Sequence, residues 1–133
     1  MGPSNIPWGN IMGSNVWIKS GTVRNLFPQP GVTATATGTA EYKDSPNSTF
    51  QAIVTGTGAV TATVTIEVSN DPRVLTDSAN AAWLSTVLGT ITLSGTNSSS
   101  DGFTTSNAPW KYVRANVTAI SGTGATVQVY MGV

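Results

Sequence analysis

Histidine and cysteine are both missing from this chain of 133 residues, and ionised side chains are scarce, with 6 Lys+Arg against 6 Asp+Glu. Their absence excludes a Ser–His or Cys–His nucleophile pair, an imidazole or thiolate zinc site and a disulfide framework. A chain without thiols is indifferent to the redox state of its compartment. Formal neutrality leaves no surplus of cations for the phosphate contacts that dominate nucleic-acid affinity, so no nucleic-acid partner is expected. No apolar run approaches the ~20 residues that span a bilayer, and no membrane partner is expected either. The first residues lack the basic and apolar regions of a secretory signal, which predicts a cytosolically made chain.

In place of charge the chain carries hydroxyls and amides, with Thr at 21 positions, Ser at 14 and Asn at 10. Charged residues are 9% of the total, against ~25% in an average soluble protein. Three glycosylation sequons (Asn47-Ser48-Thr49, Asn97-Ser98-Ser99 and Asn116-Val117-Thr118) read as accidents of that composition. The length suits one domain with a core of its own.

The texture divides the chain at about residue 30. Residues 1–30 hold Pro3, Pro7, Pro28 and Pro30, with apolar residues at irregular spacing. Pro, Gly and Asn would break any helix there. An extended arm is predicted, with a short strand around 16–18 and another over 22–27. Residues 31–133 read as the β domain. In 59–69, Val60, Ala62, Val64, Ile66 and Val68 alternate with Thr61, Thr63, Thr65, Glu67 and Ser69. That period of two places one face in a core and the other, Glu67 included, in solvent.

Similar alternation recurs at Phe50/Ala52/Val54, Val87/Ile91/Leu93, Val113/Ala115/Val117/Ala119 and Val127/Val129/Met131. The Thr/Ala run over 33–40 reads as a weak edge strand. The sequence Gly-Thr-Gly-Ala occurs at 56–59 and again at 122–125, and glycines in short loops supply the positive φ of hairpin turns. The expected hairpins pair 49–55 with 59–69, and 110–120 with 125–132. Pro72 should end the long strand. A helical turn capped by Asp77 or Ser78 is expected within 77–85, and a polar loop over 97–102. The sum is an all-β fold of roughly eight short strands, an antiparallel β-sandwich of jelly-roll type with an extended N-terminal arm.

Chemistry-bearing residues are few. The acids Glu41, Asp44, Glu67, Asp71, Asp77 and Asp101 show no local spacing that would set a catalytic pair across a cleft. They read as solvated or turn-forming, and no enzyme activity is expected. Asp71, Asp77 and Asp101 lie in loops that could approach a calcium ion, but no EF-hand-type run accompanies them. The expected inventory of metals and cofactors is empty. Trp83, Trp110 and Tyr112 form a possible surface contact, either a sugar-stacking platform or the cover of a core or subunit face. Arg114 lies on the Trp110/Tyr112 face, suited to stack on an aromatic or pair with Glu67. In the arm, Ile6, Trp8, Ile11, Met12, Val16 and Trp17 cannot bury themselves on their own interrupted backbone. They must cover their own domain, a sister subunit or another protein.

One stretch is more specific. The Ser69-Asn70-Asp71 turn, the Trp83 … LGTITLSG strand, the Ser-rich segment and the run APWKYVRANVTAISGTGATVQVYMG resemble small virion proteins of tailed bacteriophages. The resemblance lies in the C-terminal part of the chain, and the arm has no counterpart in it. It implies a β-sandwich of the capsid decoration (cement), head-fibre or tail-associated kind. The leading expectation is a capsid decoration protein made in the host cytoplasm and sited on the virion surface. It would be a homotrimer bound to the major capsid protein, with the six arm residues lying across the shell. The alternatives are a tail or fibre component that binds host glycans through Trp83, Trp110 and Tyr112, and a tail or neck adaptor.

Overall fold

The computed structural model describes residues 22–133. These residues form an all-β fold, a single antiparallel sheet with almost no helix. Three long strands dominate it: β4 (Ser48–Ser69), β5 (Leu84–Thr105) and β6 (Tyr112–Gly132). The central strand is β4, with β5 along one side and β6 along the other. Three short strands, β1 (Val23–Asn25), β2 (Ala36–Thr37) and β3 (Glu41–Tyr42), pair successive parts of the outer edge of β6. A bridge between Val32 and Val127 helps to cover that edge. Between β4 and β5 lie α1 (Arg73–Thr76) and a 3₁₀ turn (Ser78–Asn80).

The expected hairpins are not formed. Segments 49–55 and 59–69 are successive parts of β4, and both pair with β5 and β6 rather than with each other. The two Gly-Thr-Gly-Ala motifs do supply positive φ, at Gly58, Gly122 and Gly124, but they bend continuing strands instead of reversing them. A left-handed glycine serves a bulge as readily as a turn, and spacing alone does not separate the two. Register slips between Thr55 and Ala59 against β5, and between Thr55 and Thr61 against β6, absorb the bend. Gly122 could hardly be another residue. Its φ is 122°, and a Cβ there would lie 2.7 Å from the Ala59 carbonyl oxygen.

The bend brings the two ends of the long strands towards each other. A Cβ on Gly89, early in β5, would come within 3.1 Å of the ring of Phe103, near the end of the same strand. Phe103 in turn lies beside Phe50, with ring centroids 5.4 Å apart. One core joins both halves. Phe50, Ala52 and Val54 belong to the same buried cluster as Val60, Ala62, Val64, Ile66 and Val68. The alternation in 59–69 therefore gives the correct buried face, although on the face expected in solvent Glu67 and Ser69 are buried as well. Leu26 and Phe27, within the 1–30 segment, also lie in this core.

The other departures are local. Residues 97–102 continue β5, because pairing with β4 outweighs the weak strand preference of Ser and Asn. Thr63 pairs with Ala119 but Val64 with Val117, so one extra residue shifts the phase. Ala119 is consequently exposed, and Ile120 packs against the core. Val87 lies where the register of β5 against β4 slips between Gly89 and Leu84, and it is 46% exposed rather than inward. The expected turn within 77–85 is the short 3₁₀ segment, without a side-chain cap from Asp77.

Candidate functional site

β3 and the connection from β4 to β5 frame a cleft on the outer side of β6. Its volume is about 390 Å³, and its walls include Glu41, Tyr42, Leu75, Trp83, Tyr112 and Arg114. Tyr42 stands opposite Tyr112 in the β3–β6 ladder, and their ring centroids are 5.6 Å apart. The guanidinium of Arg114 lies 4.2 Å from the centre of the Trp83 ring. Its Nε donates to Oε1 of Glu67 at 2.6 Å, and Asn116 Nδ2 donates to Oε2 at 3.2 Å. Glu67, expected in solvent, is 6% exposed, because this stack covers the sheet face on which it stands.

The structure thus brings Trp83 and Tyr112 together and leaves Trp110 apart, packed against the core. One face of Trp83 is occupied by Arg114, and Tyr112 is buried. Arg114 does both things expected of it, stacking on an aromatic and pairing with Glu67. Tyr42 was not foreseen as a member of the site. Its only sequence signal is a two-residue strand, too short for any periodicity to register.

The turn that closes the cleft is organised by Asp71. Its carboxylate accepts from Arg73 Nε at 3.1 Å and Nη2 at 2.8 Å, from the Ala82 N–H at 2.8 Å and from the Arg73 N–H at 2.9 Å. Ser69 Oγ accepts from the Asp71 N–H and donates to the Ala82 carbonyl. The Arg73 side chain and then these backbone donors hold the Asp71 carboxyl far below the usual carboxylate range. An unfolded Asp titrates near ~3.9, so Asp71 adds to stability above about pH 4, and the contribution is lost as pH falls below that. The Asp71→Asn variant should unfold at lower urea concentration than the parent at pH 7. The gap should shrink between about pH 4 and pH 2, and a gap independent of pH would refute the assignment.

The remaining acids are also engaged within the chain. Arg24 pairs with Asp44 and lies 3.8 Å from Glu41, Asp77 accepts from Asn80, and Asp101 accepts from the Gly102 N–H. Among the described residues no group of three or more His, Cys, Asp or Glu could hold a metal. Lys43 is a buried cation, its Nζ donating to the Ser45 carbonyl at 2.7 Å and the Ala108 carbonyl at 2.5 Å. Burial lowers its pKa, and the two bonds tie the approach to β4 to the approach to β6.

A second depression lies beside β1 and the end of β6. Thr22, Val23, Asn47, Thr49, Thr104 and Val133 line a groove of about 330 Å³, and Val23 is 64% exposed. The arm residues Ile6, Trp8, Ile11, Met12, Val16 and Trp17, and the strand expected at 16–18, lie outside the described residues. No family model matches the chain, and no match was found among curated proteins or among solved structures.

Proposed function

We propose that this is a non-enzymatic structural protein of a tailed-phage virion, a capsid decoration protein that binds the major capsid protein and reinforces contacts between capsomers. In this reading the folded-over sheet acts as a β-sandwich body, and the N-terminal arm attaches it through Ile6, Trp8, Ile11, Met12, Val16 and Trp17. The observation that carries it is the division of labour along the chain. The acids of the body are engaged by the chain's own donors, and one buried cluster gathers apolar residues from all three long strands. The segment ahead of β1 holds large apolar side chains that its interrupted backbone cannot bury alone.

The mechanism is additive contact. Several attachments made by linked copies raise the effective concentration of each further one, so modest interfaces retain the protein firmly. Hydroxyl-rich faces bond neutral partners with little dependence on salt, and a chain without His carries few groups that titrate between pH 5 and 8. Purified protein added to undecorated shells should bind at high copy number and raise their disruption temperature. Absence of binding overturns the reading. The cleft between Tyr42, Trp83 and Tyr112 favours a second reading, a fibre component that holds a host glycan. Glycan-array binding without shell affinity would select it, and a low fixed copy number per virion would select an adaptor.

A further inference from the structure

The sheet covers its two edges unequally. The outer edge of β6 is paired by β1, β2, β3 and the Val32 bridge, whereas no strand among the described residues pairs with the outer edge of β5. An uncovered edge offers a row of unsatisfied N–H and C=O groups, and proteins usually blunt it with lysine, proline or a bulge. β5 carries an irregularity between Leu84 and Gly89, and it bends near Asn97, whose φ is 66°. Between these interruptions, 89–95 keeps unbroken register with β4 and contains no charge and no proline.

That stretch reads Gly89-Thr90-Ile91-Thr92-Leu93-Ser94-Gly95, nearly the same chemistry in both directions about Thr92. Thr90, Thr92 and Ser94 are exposed on the outer face, while Ile91 and Leu93 enter the core. We propose that two copies of this protein join edge to edge by antiparallel pairing of 89–95 about a twofold axis at Thr92. On that axis Thr92 meets Thr92, Ile91 meets Leu93, Thr90 meets Ser94 and Gly89 meets Gly95. Hydroxyls stand across from hydroxyls on one face and aliphatic groups across from each other on the other, the kind of cross-strand match that stabilises a sheet. No charge opposes its like, since Asp101, the one acid of β5, lies beyond the bend. A self-complementary patch of this kind closes as a pair. It is a twofold contact, where the sequence-based expectation was a trimer, and it holds whether or not the protein decorates a shell.

Sedimentation equilibrium on the full chain tests it. The wild type should associate, and Thr92→Lys, which sets two ammonium groups face to face, should weaken association about hundredfold and halve the mass. Mixing Thr92→Lys with Thr92→Glu should restore the wild-type mass that the Lys variant lacks. The chain has no native cysteine, so Thr92→Cys should give a covalent dimer on mild oxidation, and Ser100→Cys should not. The cysteine pair decides the matter if the Lys variant fails to fold. Wild type that stays monomeric at high micromolar concentration, Thr92→Lys with unchanged mass, or equal cross-linking of the two cysteine variants would overturn the proposal.

Discussion

Val64→Asp should abolish folding at neutral pH. Val64 has no exposed surface and sits between Ile91 of β5 and Val117 of β6. The substitution loses about 1.5–3 kcal/mol of apolar burial. It also places a carboxyl where the neighbouring core residues offer no donor, which costs several kcal/mol more whether the group ionises or takes up a proton. Domains of this size have only about 5–15 kcal/mol in hand, so the folded population should collapse. The neighbouring Thr63→Asp points to the outer face and should shift stability by no more than about 1 kcal/mol. Urea unfolding followed by tryptophan fluorescence compares the two. A cooperative transition for Val64→Asp close to that of the parent would show that the buried face has been misassigned.

Deleting residues 1–20 should leave the body folded and abolish shell attachment. The core residues nearest that segment, Leu26 and Phe27, are retained, as is the pairing of β1 with the end of β6. Leu26 N–H donates to the Val129 carbonyl at 2.8 Å, an anchor that the deletion does not touch. The truncated protein should keep a cooperative thermal transition, while its binding to undecorated shells falls below detection. Shell binding equal to that of the full chain would remove the leading segment from the mechanism. Loss of the thermal transition would instead make that segment part of the fold.

Part of this architecture is legible in the sequence. The alternation through Val60, Ala62, Val64, Ile66 and Val68 identified the buried face, and Pro72 marked the end of β4, because both signals are local to one strand. Pairing is not local. The motifs at 56–59 and 122–125 look like hairpin turns, and only the neighbouring strands determine that they are bends. The same limit explains the site. Trp83, Tyr112 and Arg114 stand out as candidates in the sequence, but Tyr42 arrives through a two-residue strand that carries no pattern. The burial of Glu67 depends on an indole that lies 16 positions further along the chain. The phase change at Ala119 follows from one extra residue, which nothing in its own neighbourhood announces.

The bends at Gly58, near Asn97 and at Gly122–Gly124 lie at matching levels on three adjacent strands. A single inserted residue at any one of them would turn half of that strand inside out relative to both neighbours. Length changes here are therefore tolerable only as coordinated sets, and solitary gaps at these bends should be rare. Genetic fusions or tags belong elsewhere for the same reason.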